Sequence, residues 1–293
     1  MLIQRNLILS VALALLTVPA SADPFIYVVT QNQQLGTQQF GAVDLASGAF
    51  QQIGPSTTEF ESGLVPGPNG SLLTLGPSGN LNSINPTTGV ITTIGPTGLG
   101  EAQTALGELG GKLYATDLNN NLYAVNSTTG AAQLIGPTGI PALPFIPTSI
   151  NPDGTINIFN ETLFGAGGKL YATFDADTFD PSVPMITPVI ASNLYQIDPA
   201  TGATTVVAPT TLLMTASLDL NGSVYALIGN AEALTHAVTL DLANGHTSFV
   251  SNVDPTAGLI FGAAPVPEPT SVALAVIGIA GIALCIRRKR TCA

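Results

Sequence analysis

The chain has 293 residues, enough for one large core or two small ones. It holds 18 Asp and Glu against seven Lys and Arg, a formal net charge of -11. The basic residues sit mostly at the ends, as Arg5 and as Arg287, Arg288, Lys289 and Arg290, so the span between them is strongly acidic; that distribution excludes nucleic-acid binding and repels anionic partners.

Residues 1–22 have the layout of a secretory signal. Arg5 gives a weakly basic head, residues 7–16 an apolar run, and Pro19, Ala20, Ser21 and Ala22 a small-residue end. Cleavage is expected between Ala22 and Asp23, with Ala20 and Ala22 as the recognised pair and signal peptidase as the partner. The apolar run is about ten residues, too short to span a bilayer comfortably.

From residue 23 to 265 the pattern is repetitive. An Asp or Asn stands four residues before a Gly at Asp44 and Gly48, Asn85 and Gly89, Asn126 and Gly130, Asp198 and Gly202, and Asp241 and Gly245. Each lead residue can bond its own backbone, and each Gly can take the positive φ of a tight turn. Short apolar stretches flank every turn, so each unit reads as a hairpin. A further strand lies one step earlier, at 25–29, 71–75, 112–116, 169–173 and 223–227, the last four each preceded directly by Gly. Fourth-strand candidates precede these at 61–65, 104–109, 156–163 and 212–218. A fifth, at 258–263, follows the last repeat and would complete the first.

Turn-to-turn spacing is 41, 41, 72 and 43 residues, the range of propeller blades. The long interval is assigned to surface-loop expansions near 140–165 and 175–190. The expected fold is all-β: a closed β-propeller of antiparallel blades, five of them, closed by the orphan last strand. An open solenoid or a twisted sandwich of similar hairpins shares the same period. The two cysteines, Cys285 and Cys292, lie outside this region, so it contains no disulfide.

Sites with recognisable chemistry are sparse. His236 and His246 lie ten residues apart across the last hairpin and read as exposed side chains, with no Cys beside them to make a zinc site. The Gly-rich stretches at 107–111 and 165–168 read as turns, because neither has a phosphate-loop lysine pattern. Asp175, Asp177 and Asp180 in FDADTFD are weak candidate calcium ligands on a loop; they lack the Gly and Glu positions of the helical calcium loop and read first as solvated loop carboxylates. No other cofactor is implied, and no pair of carboxylates is singled out for glycoside hydrolysis.

After residue 265 the composition changes. Pro267, Glu268 and Pro269 form an extended segment, residues 272–286 an uncharged apolar run, and Arg287, Arg288, Lys289 and Arg290 a basic end. The run is marginal for a membrane-spanning helix, and the basic cluster orients it with the acidic domain outside. This tripartite tail, with a signal peptide at the other terminus, resembles the PEP-CTERM sorting signal. The resemblance covers about the last 28 residues. It implies recognition by an exosortase, a membrane cysteine transpeptidase, with processing near Pro-Glu-Pro. It also implies a Gram-negative host that makes exopolysaccharide, which makes extracellular polysaccharide a candidate partner. The expected function is therefore that of an exported, membrane-anchored and then processed surface or matrix protein with a non-enzymatic binding or structural role. The alternative is a secreted polysaccharide-active enzyme using acidic residues on one face of the ring.

Overall fold

The computed structural model describes residues 24–32, 36–59, 61–100, 103–140, 156–180, 185–210, 214–229 and 235–266. Its strands group as five four-stranded antiparallel sheets. Blade 1 is β1 (Phe25–Asn32), β2 (Thr37–Asp44) and β3 (Phe50–Gln52) together with the last strand, β20 (Leu259–Pro265). Blade 2 is β4 (Ser62–Pro66), β5 (Leu72–Leu75), β6 (Asn80–Ile84) and β7 (Ile91–Pro96). Blade 3 is β8 (Gln103–Leu109), β9 (Lys112–Asp117), β10 (Asn121–Val125) and β11 (Ala132–Pro137). Blade 4 is β12 (Ile156–Ala166), β13 (Lys169–Asp180), β14 (Met185–Ile197) and β15 (Thr204–Pro209). Blade 5 is β16 (Met214–Leu220), β17 (Ser223–Gly229), β18 (Thr235–Leu240) and β19 (Thr247–Asn252).

The five turns behave as their chemistry dictates. In every one the Gly amide donates to the carbonyl of the lead Asp or Asn, at 2.7 or 2.8 Å. The lead side chain accepts from the amide two residues on, as Asp44 Oδ1 does from Ala46 at 2.9 Å and Asn126 Oδ1 from Thr128 at 2.8 Å. These glycines also sit where blades meet: a Cβ on Gly130 would collide with the Gly95 carbonyl of blade 2, and one on Gly48 with the Asn252 carbonyl of blade 5. The Gly is thus required twice, by its positive φ and by close approach.

The outer strands share a second device. In β7, β11, β15 and β19 the ladder slips by one residue, a bulge at Ile94, Ile135, Val207 and Val250 respectively. Pro96, Pro137 and Pro209 then end three of these edges. A bulge twists the edge, and a Pro withholds a donor, so both discourage pairing with another chain.

The expectation of a closed propeller is corrected by the strand order. The arrangement is five-bladed and propeller-like, but the five sheets are separate. Although β20 pairs with β1 and completes blade 1, among the described residues no hydrogen-bonded ladder runs from one blade into the next, and free strand edges remain on every sheet. Neighbouring blades are held instead by apolar side chains between their faces. Five buried clusters fill the five junctions, including Ile26, Val28 and Val43 of blade 1 against Leu218, Leu227 and Ala237 of blade 5. The physical reason is that the blades stack face to face, so side chains fill the junctions and the backbones meet across them in isolated bonds, such as the Ala132 amide to the Thr97 carbonyl at 3.0 Å and the Asp254 amide to the Gly48 carbonyl at 2.8 Å, instead of ladders.

Blade 4 departs from the others in length. β12, β13 and β14 run for 11, 12 and 13 residues, so much of the span assigned to expanded loops is strand. The signal segment, the apolar run at 272–286 and the basic end fall outside the described residues. Among the described residues no helix is long and apolar enough to cross a membrane.

Candidate functional site

Two concave regions follow from this packing. The first lies on the axis, where β4, β8, β12, β16 and β20 surround a cavity of about 90 Å³. It is narrow because backbone meets backbone there: a Cβ on Gly107 would lie 2.7 Å from the Leu163 carbonyl, and one on Gly262 2.6 Å from Gly63. Such a volume admits a few waters and no sugar ring. Its carboxylates are Glu108, Glu161 and Asp219, the first and the last each at a hairpin end. Glu108 accepts from the Gly111 amide, and Asp219 Oδ1 from the Gly222 amide at 2.8 Å. Thr162 bonds Thr173 at 2.7 Å and donates to Ser217 at 3.3 Å, linking blades 4 and 5.

The second region lies between blades 1 and 2, and its centre is Glu61. This residue ends the connection from β3 to β4 and is only 2% exposed. That connection runs along β2, where Gln38 and Thr57 exchange backbone bonds of 2.7 and 2.9 Å. The Gln38 side chain then grips the Glu61 backbone: Nε2 donates to the Glu61 carbonyl and the Glu61 amide donates to Oε1, both at 2.6 Å. On the other side Asn82 Nδ2, from β6, donates to Glu61 Oε1 at 2.9 Å and to Oε2 at 3.2 Å. Gly76 leaves room for that amide, since a Cβ there would come within 2.5 Å of Asn82 Nδ2.

Burial pushes the Glu61 carboxyl up to about 6; the Asn82 and Thr74 hydrogen bonds oppose the shift, and the Glu59 carboxylate adds to it. Glu61 opens onto a groove of about 350 Å³ with Gln38, Gln39, Thr57 and Glu59 among its polar walls and Phe40 and Ile91 among its apolar ones.

The residues singled out from the sequence are scattered. Asp175, Asp177 and Asp180 fall on β13, where the ladder pairs them with Asn160, Ile158 and Met185, so their backbone is strand and not a loop. His236 and His246 stand at opposite ends of the β18–β19 hairpin; His236 Nδ1 meets Asn252 Oδ1 at 2.7 Å. Gly110, Gly111, Gly167 and Gly168 are the corners of two-residue hairpins, all with positive φ. Ala20, Ala22, Asp23, Pro267, Glu268, Pro269, Arg287, Arg288, Lys289 and Arg290 lie outside the described residues. Sequence reasoning missed the Glu61, Asn82 and Gln38 cluster; its one signal was a carboxylate at the head of an otherwise apolar inner strand, ESGLV.

Similarity to known proteins is confined to the tail and the fold. The PEP-CTERM protein-sorting motif matches residues 265–289. Among curated proteins none matches the chain. TolB from Acinetobacter baumannii is similar in shape, with a TM-score of 0.47 and 12% identity over 88% of this chain and 70% of that one. A protein of unknown function from Bacteroides thetaiotaomicron aligns with a TM-score of 0.50 and 15% identity, over 85% of this chain and 66% of that one, a likeness of fold alone. The chain is therefore an exported, surface-associated protein: a five-bladed, propeller-like domain that bears a PEP-CTERM sorting tail and so meets an exosortase-like sorting system.

Proposed function

We propose that the chain is a surface or extracellular-matrix protein whose propeller-like domain has a non-enzymatic binding or structural role. It would be exported after signal peptidase cleavage before Asp23, held in the inner membrane by residues 272–286, and processed near Pro267, Glu268 and Pro269. The observation that carries this reading is the sorting motif, which begins at Pro265, the last residue of β20. The tail thus leaves directly from a strand of the fold. Pro265 is in register beside Ile26, and Phe25 beside Asp44, so the tail departs from the end that carries the Asp44 turn. Glu61, held by Gln38 at the start of β2, belongs to the opposite end. A tethered domain would present that end away from its anchor.

A non-enzymatic role is further supported by how three of the carboxylates in these two regions are used. Glu108 and Asp219 close hairpins, and Glu61 is bonded to a neutral amide. The test is to incubate the purified mature protein with extracellular polysaccharides of the exporting host and follow both retention and polymer length. Saturable retention without shortening is expected. Depolymerisation would overturn the reading in favour of a polysaccharide-active enzyme.

A further inference from the structure

Three Asn-Gly pairs lie in turns of the domain: Asn69-Gly70, Asn221-Gly222 and Asn244-Gly245. Such a pair is open to one spontaneous reaction, because Gly has no side chain to hinder its own backbone nitrogen. On losing its proton, that nitrogen attacks the Asn carboxamide carbon. A new C–N bond closes a five-membered succinimide, the old C–N bond breaks, and the amino group takes a proton and leaves as ammonia. Water then opens either ring carbonyl, giving aspartate or isoaspartate and one added negative charge. The first two pairs form a controlled comparison. Both read Asn-Gly-Ser, both Asn residues sit at φ 56, and their glycines sit at φ 76 and 85. They differ two residues before the Asn. There the Asp219 carboxylate accepts from the Gly222 amide at 2.8 Å, whereas the matching residue in the first turn is Gly67, which has no side chain. The Gly70 amide has no partner among the described residues, and Asn69 and Gly70 are both exposed. At the third pair both reactants are held: the Gly245 amide donates to the Asp241 carbonyl at 2.8 Å, and Asn244 Oδ1 accepts from the His246 amide at 2.9 Å.

We propose that Asn69 is a site of deamidation through a succinimide, and that the Asp219 carboxylate guards Asn221 against the same reaction. A carboxylate that accepts from the attacking nitrogen holds it in place and opposes loss of its proton. Having to release that charge-assisted bond slows ring closure at Asn221 about tenfold relative to Asn69. Closure also rotates the Asn backbone, but both turns start from the same conformation, so this step cancels in the comparison. The consequence is local. Asn69 lines a groove on blade 2 with Ser71, Ser83, Asn85, Thr88 and Thr92, and no charged side chain lines it. Deamidation gives that neutral groove a carboxylate, so the surface chemistry of the domain changes with its age. The reaction needs water alone as co-reactant and is independent of the binding role proposed for the domain.

The experiment ages the purified mature protein in mildly alkaline buffer made with heavy-oxygen water and follows the three sites by peptide mass spectrometry. Cleavage after glutamate separates them, since Glu101 and Glu232 lie between them. Heavy-oxygen uptake should come first at Asn69, about tenfold faster than at Asn221, with Asn244 slowest. The Asn69 rate should rise with pH, and isoaspartate should accumulate there. In concentrated urea Asn69 and Asn221 should react at equal rates, because their triplets are identical and only the fold sets them apart. Asp219→Ala should bring Asn221 up toward the rate of Asn69, and Asp219→Asn, which keeps a neutral acceptor, should fall between Asp219→Ala and wild type. Equal rates at Asn69 and Asn221 in the folded wild type, or no reaction at Asn69, would overturn the proposal. So would a difference that persists in urea, or an Asn221 rate that Asp219→Ala leaves unchanged.

Discussion

Replacing Glu61 by Gln should stabilise this protein at neutral pH, which is the reverse of the usual effect of removing a bonded buried side chain. Folding raises the Glu61 carboxyl from its ordinary 4.5 to about 6. Between those values the folded chain binds more protons than the unfolded one, so stability falls as pH rises. Its contribution is fully present below pH 4.5 and is lost as pH passes through about 6. A shift of this size corresponds to about 2 kcal/mol, the burden of holding the ionised group away from water at pH 7. Gln is nearly isosteric, keeps an oxygen for Asn82 Nδ2, and carries no charge.

Urea unfolding of wild type and Glu61→Gln at pH 4, 5, 6 and 7 measures the difference directly. The variant should gain nothing at pH 4 and about 2 kcal/mol at pH 7, a rise of roughly 4–8 °C in melting temperature for a domain of this size. Taking the difference removes the contributions of Asp44, Asp198 and Asp254, whose carboxyls are lowered by turn hydrogen bonds and which act in the opposite sense. A variant less stable than wild type at pH 7, or one whose gain is the same at pH 4, would refute the account of Glu61 as a desolvated charge.

Gly130→Ala should destabilise by about 3 kcal/mol and Gly111→Ala by about 1 kcal/mol, because both sit at φ +81 but only the first would collide with a neighbouring blade. Chemical denaturation of the two variants checks this, and equal losses would remove close approach as the reason for the turn glycines. Asp117→Ala should cost about 2–3 kcal/mol, since this buried carboxylate accepts from the Asn119 and Asn121 amides, the Asn121 side chain and the Tyr123 hydroxyl. In spheroplasts, added protease should digest the acidic domain while a tag placed after Arg290 stays protected; the reverse pattern would invert the topology. Changing Pro267, Glu268 and Pro269 together to Ala should leave a full-length tail on the protein, read by intact mass, whereas a wild-type chain still ending at Ala293 would refute processing.

What could be read from the sequence was what local chemistry decides. An Asp or Asn that bonds the amide two residues on, with a Gly four residues on, closes a turn whatever surrounds it. Hence all five turns fall where the sequence puts them. The inner strands were legible for a similar reason, as apolar runs ending in Gly-led corners. Closure was not, because it depends on how sheets meet. The orphan last strand does pair with β1, yet that pairing completes a blade and joins no two blades. Nor does the pattern 175–190 announce strand: its Asp and Pro residues satisfy the usual description of a loop, while blade 4 carries its ladder through residues 175–180 and 185–190.

The Glu61 site shows why a buried functional group is harder to read than a turn. Its environment is assembled from Gln38, 23 residues earlier, and Asn82, 21 residues later. Neither spacing carries a signal, and each residue alone reads as an ordinary surface amide. Only the fold brings them to a carboxylate that is 2% exposed. Once assembled, the cluster differs from the turn carboxylates elsewhere in the domain, such as Asp44 and Asp198, which close turns in contact with water. An ionised group held among neutral partners lowers stability unless something charged or protic meets it. It also lies at the end of the fold away from Pro265, where the sorting motif begins. That coincidence of energetic burden and outward placement distinguishes Glu61 from Glu108 and Asp219, whose carboxylates already have backbone amides to hold.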